Sequence, residues 1–142
     1  MKPVFLDSGD MLALESASDQ HHTAAVAHWD RFVMKKGPRL VTTTFVLAEI
    51  VAFMNRRGWH GKAVRVGHRF LESPSIELLH VDESLFRSGW DFFCRHADKR
   101  YSLTDCISFV LMRDRGIRQA LAFDRHFEQA GLERLPGEGR VP

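Results

Sequence analysis

Five short, mostly apolar runs are spaced along the chain, and each has the length and composition of a β-strand buried in a sheet. They cover residues 3–6, 40–42, 76–81, 119–123 and 132–135. The first run is apolar at every position, which is typical of a strand covered on both faces in a parallel sheet. The last run is predicted to be an edge strand.

Between these runs, apolar residues recur at intervals of three and four, which predicts helices. Helices are expected over residues 22–35, from 43 or 44 to 57, over 61–71, from 82 onward, from 102 to about 115 and over 124–130. Local signals support their ends: Gly58 and Gly116 each follow a helix, and Asp82 can cap one. The run Ser102 to Asp105 has the form of a capping box.

Strands that alternate with helices predict an α/β fold with a mainly parallel sheet. The chain has 142 residues, which is enough for a hydrophobic core, and no internal repeat or long linker divides it. A single domain over residues 1–142 is therefore expected, with a loose tail at residues 136–142.

Four acidic residues stand beside apolar runs, where a carboxylate is costly to bury without a partner. Asp7 follows the first strand, and Asp124 follows the fourth. Asp105 lies in the first turn of its helix, so it is expected to face the same sheet edge, where parallel strands end. Glu49 has apolar neighbours at helical spacing, which predicts that it faces inward as well.

A divalent cation is the expected partner of these acids, because no lysine or arginine lies in the same apolar runs. Hard cations such as Mg²⁺ prefer carboxylate oxygens. The hydroxyls of Ser8 and Thr104 flank two of the acids and are predicted to support them by orienting a carboxylate or a bound water. Such a cluster is suited to metal-assisted hydrolysis of a phosphodiester.

Each acid also has an ordinary structural interpretation. Asp7 and Asp124 could be turn or capping residues, and Asp105 could be an acid favoured by the helix dipole. Glu49 could form an ion pair with a nearby arginine such as Arg56 or Arg57. Four acids that lie at one sheet edge for four separate structural reasons are less plausible than four acids that form one site.

The overall charge permits a polyanionic substrate without requiring one. The net charge is +2 and the pI is about 8.7, which is mildly basic. Basic residues follow the second acid, and three of them share one helical face as a candidate stripe for binding a nucleic-acid backbone. The candidates are Arg56, Arg57, Lys62, Arg65 and Arg69. An ordinary solvated helix face has the same appearance, so both interpretations stand.

Cysteine usage and hydropathy bear on the compartment. Cys94 and Cys106 match no disulfide framework or metal knuckle, which favours a reducing environment. No apolar stretch reaches about 18 residues, and Asp7 and Asp10 interrupt any signal-peptide core. A cytoplasmic protein without a membrane partner is expected.

Four segments, in order and spacing, cover the chain from residue 5 to about 131. They are Phe5-Leu6-Asp7-Ser8 with Met11-Leu12-Ala13-Leu14, Val46-Leu47-Ala48-Glu49-Ile50, Tyr101-Ser102-Leu103-Thr104-Asp105-Cys106-Ile107-Ser108-Phe109 and Ala122-Phe123-Asp124-Arg125-His126-Phe127. Together they resemble the PIN-domain family, and within it the VapC-like toxin ribonucleases of type II toxin–antitoxin pairs. The third and fourth segments are the most specific. Gly9-Asp10 departs from the pattern, and Asp10 is interpreted as a surface charge.

The resemblance implies a three-layer α/β/α sandwich with a parallel sheet and Mg²⁺- or Mn²⁺-dependent endoribonuclease activity. It places the family's acidic site at Asp7, Glu49, Asp105 and Asp124, and it implies an RNA substrate. It also implies a homodimer and, for a toxin, a small cognate antitoxin protein that covers or distorts the site. A non-toxin RNA-processing nuclease and a non-catalytic PIN-like scaffold that binds RNA or protein are the alternatives.

Two other classes fit the sequence poorly. A receiver domain would carry a lysine after the last core strand, where Asp124 stands, and an aspartyl phosphatase would carry a second acid in place of Gly9. His126 is interpreted as an ordinary residue at a helix start. Trp90 is interpreted as core or dimer interface, whereas Trp59 stays open to base stacking.

Overall fold

The computed structural model describes residues 2–16, 18–31 and 37–135. In this part of the chain five strands form one sheet: β1 (Val4–Leu6), β2 (Leu40–Thr43), β3 (Ile76–Leu79), β4 (Gln119–Leu121) and β5 (Glu133–Leu135). Their spatial order is β3-β2-β1-β4-β5, and every neighbouring pair is parallel. The predicted parallel sheet is confirmed. The expected single domain stays a prediction, and the tail at residues 136–142 lies outside the described residues.

Helices cover the sheet on both faces. The described residues form α1 (Ser8–Glu15), α2 (His22–Trp29), α3 (Thr44–Arg56), α4 (His60–Glu72), α5 (Glu83–Arg95), α6 (Leu103–Arg115) and α7 (His126–Gln129). Helix α1 packs on α2 and α3, α3 packs on α4, and α5 packs on α6. The chain steps one way from β1 to β3 and the other way from β4 to β5, so right-handed crossovers place α1–α4 and α5–α7 on opposite faces. The result is the predicted three-layer α/β/α sandwich.

The helix ends follow the local signals in the sequence. The hydroxyl of Ser102 accepts a hydrogen bond from the backbone N–H of Asp105 at 3.0 Å, and the Asp105 carboxylate accepts one from the backbone N–H of Ser102 at 3.1 Å. This reciprocal pair is the predicted capping box. The Asp82 carboxylate caps α5 by accepting from the N–H of Leu85 at 2.8 Å. Gly116 ends α6 in the left-handed conformation, with φ of 67°.

Helix α1 has no counterpart among the predicted elements. The residues 11–14 are a continuous apolar run without helical periodicity, and the polar residues 8–10 resemble a turn. The helix forms because Met11 and Ala13 are buried in the core. The helix predicted over residues 22–35 ends as α2 at Trp29, and residues 32–36 lie outside the described part. Strand β4 ends at Leu121, so Asp124 follows it after two further residues.

Helices α5 and α6 cross at Gly89, which is buried. A Cβ atom built on Gly89 would lie 3.1 Å from the Cα of Ile107, so the two backbones approach closely. Beside this crossing, α5 exposes three large apolar side chains, which we call the α5 apolar patch: Phe86, Trp90 and Phe93. The core interpretation of Trp90 is therefore wrong, because its side chain is 48% exposed. No helix in the described part of the chain is long and apolar enough to span a membrane.

The two cysteines are expected to react very differently with thiol reagents. Cys94 is exposed, whereas burial and the nearby Asp105 carboxylate raise the pKa of the Cys106 thiol to about 11. Because the thiolate is the reactive form, Cys106 should stay unreactive in the folded protein. Titration with Ellman's reagent at about pH 8 should show one fast thiol, and the second only in denaturant. A Cys94→Ser variant should lack the fast phase; two fast thiols in the parent would contradict the burial of Cys106.

Candidate functional site

Asp7 lies between the two central strands at the sheet edge where they end. It directly follows β1 and is the N-terminal flanking residue of α1, in extended conformation. Its backbone N–H donates to the carbonyl of Leu121 on β4 at 3.1 Å. The chain leaves β1 toward β2 on one side and reaches β4 on the other, and such a switch point is where open parallel sheets bind ligands. The Asp7 side chain is only 5% exposed.

Asp105 and Asp124 both contact the ring of His126. The Nδ1 atom of His126 lies 3.0 Å from Oδ2 of Asp105 and 3.2 Å from Oδ2 of Asp124. The backbone N–H of His126 also donates to Oδ1 of Asp124 at 2.9 Å. One ligand atom from each of the three residues lies within 4.8 Å of the others, so the group could hold a cation. The helix-start role of Asp105 therefore holds together with its placement at this group, whereas Asp124 precedes Arg125, the N-cap residue of α7.

Glu49 reaches the site from helix α3, but not as expected. Its side chain is exposed, so the predicted inward orientation is wrong. It lies beside the buried stripe of α3, which is formed by Val46, Ile50 and Met54. The hydroxyl of Ser8 donates to Oε1 of Glu49 at 2.9 Å, which ties α3 to the first turn of α1. Among the described residues, no ion pair joins Glu49 to Arg56.

The carboxylates are close enough to alter one another electrostatically. The pKa of Asp7 is raised from 3.8 to about 8, chiefly by burial and next by the negative charge of Asp105. Glu49 and Asp124 raise it further, while a hydrogen bond from the backbone of Ser8 lowers it. A buried carboxyl surrounded by three other acids is unfavourable when ionised and becomes favourable beside a cation. The donor set therefore fits a hard divalent ion, with oxygen ligands from the acids and one imidazole nitrogen nearby.

The remaining predicted site residues are less closely tied to the acids. Thr104 is half-buried in the first turn of α6, and its carbonyl accepts a hydrogen bond from Ser108 at 2.9 Å. Its supporting role stays a prediction, as does that of Ser8. The side chain of Asp10 lies outside the described part.

Two members of the basic stripe are engaged within the protein. The ammonium of Lys62 donates to the backbone carbonyl of Glu15 at 3.1 Å, and the guanidinium of Arg69 pairs with the Glu15 carboxylate at 2.9 Å. Arg56, Arg57 and Arg65 are exposed. The proposed role of all five in RNA binding stays a prediction, and Lys62 and Arg69 have a structural role beside it.

His126 is the site residue that sequence reasoning set aside. It does begin helix α7, as interpreted, but its ring also lies between two carboxylates. The signal in the sequence was its position two residues after Asp124, which lets one side chain fold back on the other. Asp105 is 21 residues away in the sequence, so no local pattern could show the second contact.

Comparison with known proteins gives consistent matches over nearly the whole chain. A family model described as the PIN domain matches residues 4–132. The chain is 35% identical over 129 residues to the 23S rRNA-specific endonuclease VapC20 of Mycobacterium tuberculosis, in both strain CDC 1551 / Oshkosh and strain ATCC 25618 / H37Rv, which covers 91% of this chain and 95% of the relative. The crystal structure of Mycobacterium tuberculosis VapC20, a sarcin–ricin loop cleaving toxin, matches with a TM-score of 0.82 and 34% identity, over 91% of this chain and 95% of that one.

Proposed function

The chain belongs to the PIN-domain family, and from this membership and its acidic site we propose that it is a metal-dependent endoribonuclease and the toxin of a type II toxin–antitoxin pair. The observation that carries the proposal is the buried Asp7 carboxyl, whose pKa is raised to about 8 by burial and three other acids. Such a group favours a bound cation, and in this family the corresponding acids serve RNA cleavage. RNA is the proposed substrate, consistent with the VapC20 relative being a 23S rRNA-specific endonuclease.

We assign Asp7, Asp105 and Asp124 as the groups that hold the cation, Mg²⁺ or Mn²⁺, with Glu49 completing the set. A divalent ion at such a site neutralises phosphate charge and makes a bound water more acidic. Glu49 is exposed and held by Ser8, so its free oxygen can orient a water that enters from solvent. Asp105 is fixed by its capping box, which keeps its carboxylate oriented before substrate binds.

The toxin role implies a cognate antitoxin protein that covers the site, and we place the pair in the cytoplasm. A homodimer is also proposed, because the α5 apolar patch exposes Phe86, Trp90 and Phe93 on one helix. A non-toxin RNA-processing nuclease is the alternative for the biological role, and a non-catalytic scaffold is the alternative for the chemistry. Growth arrest on induced expression, absent for Asp7→Asn, would separate the toxin from the processing nuclease.

The direct test is cleavage of an RNA panel by the purified chain. The panel contains a hairpin with the 23S rRNA sarcin–ricin loop, mixed transfer RNAs and single-stranded RNA of mixed sequence. Each RNA is incubated with Mg²⁺, with Mn²⁺ and with chelator, and Asp7→Asn is the matched control. We expect cleavage that needs metal and is lost in the variant.

Two outcomes would contradict parts of this proposal. Cleavage that persists in Asp7→Asn would show that the reaction occurs elsewhere or comes from a contaminant. No cleavage of any RNA, together with no Mn²⁺ binding by titration calorimetry, would move the chain to the scaffold class.

Replacing His126 with alanine is expected to lower cleavage roughly 10- to 100-fold, the usual range for groups that orient metal-binding carboxylates. The reason is that His126 contacts both Asp105 and Asp124 at 3.0 and 3.2 Å. The measurement is cleavage rate against Mn²⁺ concentration, which separates weaker metal binding from slower turnover. His68→Ala is the control, because His68 also contacts a carboxylate, Glu72, but on the exposed surface of α4. Equal rates for the two variants would exclude this role for His126.

A further inference from the structure

A groove of about 380 Å³ opens beside the acidic site. Its volume falls within the roughly 300–1,000 Å³ that small-ligand pockets occupy. We call it the aromatic groove, after the ring side chains in its wall. The lining residues that carry the argument are Gly9, His21, Phe53, Arg57, Trp59 and Phe123.

Three residues that line the aromatic groove are close along the chain to three of the four acids. Gly9 lies two residues after Asp7. Phe123 directly precedes Asp124, so the Cα atoms of Phe123 and Asp124 are about 3.8 Å apart. Phe53 lies one turn beyond Glu49 on α3, a rise of about 6 Å. A ligand in the groove therefore lies next to any phosphate held at the acids.

The groove is lined by planar rings and by the guanidinium of Arg57, with the Asp19 carboxylate also in its wall. The rings of His21 and Phe123 stack at 4.2 Å with an angle of 5° between their planes. The guanidinium of Arg57 lies 4.5 Å from the ring centroid of Phe53 and 5.7 Å from that of Trp59. The ammonium of Lys62 lies 4.9 Å from the same indole. Aromatic rings and guanidinium planes are the surfaces on which proteins stack unpaired bases.

The end of helix α3 fixes Trp59 in this wall. The backbone N–H of Trp59 donates to the carbonyl of Met54 at 2.9 Å, and that of Gly58 donates to Asn55 at 3.1 Å. Gly58 has φ of 76°, so these bonds form a Schellman motif that turns the chain back at the helix end. The indole and the Arg57 guanidinium are thus presented by a rigid turn rather than a loose loop.

We propose that the aromatic groove binds one unpaired nucleobase of the RNA substrate, adjacent to the phosphate that is cut; this rests on the proposed function. The base stacks against the planar wall, and the positive charges of Arg57 and Lys62 face the neighbouring phosphates. The groove joins apolar planes to cations at the edge of a phosphate site, which is the combination that single-stranded RNA requires. The groove therefore selects RNA in which the base beside the cut is unstacked.

The test combines removal of single bases from the RNA with substitutions in the aromatic groove. The probe is the sarcin–ricin loop hairpin if the parent cuts it, and otherwise the shortest RNA of the panel that it cuts. Each nucleotide around the cut is replaced in turn by an abasic ribose. Dissociation constants are measured in an Asp7→Asn background for the parent groove, Trp59→Leu and Trp59→Phe. Leu71→Ala is the control, because Leu71 is exposed on α4, outside the groove.

For the parent groove and Leu71→Ala, one abasic position is expected to weaken binding roughly 5- to 100-fold, the range of base–aromatic stacking. Trp59→Leu should weaken binding of the intact RNA by the same factor. In this variant, the same abasic position should cause no further loss of affinity. Trp59→Phe keeps an aromatic face and should restore the sensitivity to that position. If Trp59→Leu does not fold, Arg57→Gln replaces it, because Arg57 is exposed; it should reduce the abasic effect and lower the salt slope by about one.

Equal abasic costs in the parent and the groove variants would overturn the proposal while leaving the nuclease assignment intact. A parent that cuts no RNA of the panel would overturn the proposed function, and this inference with it.

Discussion

Asp7→Asn is expected to stabilise the metal-free protein above about pH 6 while abolishing RNA cleavage. In the folded chain the pKa of Asp7 is about 8, raised first by burial and then by Asp105. In the unfolded chain this carboxyl ionises near its ordinary value of 3.8. Between these two values the unfolded state binds fewer protons, so the free energy of unfolding falls as pH rises. Asparagine has no charge to bury and escapes this penalty.

The pH dependence gives the test its sign and size. Below about pH 4 the carboxyl is protonated in both states, so parent and variant should be similarly stable. The difference should grow with pH and level off above about pH 8, at no more than about 6 kcal/mol. Urea unfolding in chelator at several pH values measures it, with Asp91→Asn on exposed α5 as control. A difference that does not change with pH would show that Asp7 is already ionised in the folded protein.

Added Mn²⁺ should reverse the order, since the parent then gains a favourable partner for the charge and the variant does not. Unfolding curves with and without the ion would measure this. A variant that gains as much stability from Mn²⁺ as the parent would remove Asp7 from the proposed metal site.

Gly89→Ala is expected to destabilise the fold by about 1–3 kcal/mol, because the added methyl group would press against the backbone of Ile107 where α5 and α6 cross. Chemical denaturation of the two proteins measures the change. Gly67→Ala is the matched control: Gly67 also lies inside a helix, but a Cβ atom there would meet nothing within 4 Å. That substitution should stabilise the protein by up to about 1 kcal/mol. Equal effects at the two positions would contradict the close crossing of α5 and α6.

Most of the fold could be predicted because its signals are local. The capping box at Ser102 and Asp105 and the left-handed Gly116 mark both ends of α6, and each acts over a few residues. Helix α1 escaped prediction because its four apolar residues are contiguous, and its conformation depends on burial against the rest of the chain. Strand order, likewise, is decided by pairings between distant segments.

In the candidate site, too, local features could be predicted from the sequence, whereas contacts between distant residues could not. The four acids stood out because each interrupts an apolar pattern, and the structure places three of them near Asp7. The predicted orientation of Glu49 is wrong because apolar neighbours at helical spacing locate the buried face of a helix only approximately. Glu49 lies at the edge of the buried stripe of α3. The contacts of His126 with Asp105 and of Lys62 with Glu15 join residues 21 and 47 positions apart, beyond any spacing rule.

Asp105 takes part in two structures at once, because one carboxylate oxygen accepts both the Ser102 N–H that begins α6 and the His126 ring. A cation bound to that oxygen should weaken the hydrogen bond that it accepts from the Ser102 N–H. The Ser102 amide is therefore a natural reporter of a cation at the site, readable by hydrogen exchange or amide chemical shift without any RNA present. This signal would report the proposed metal site directly, without relying on RNA cleavage.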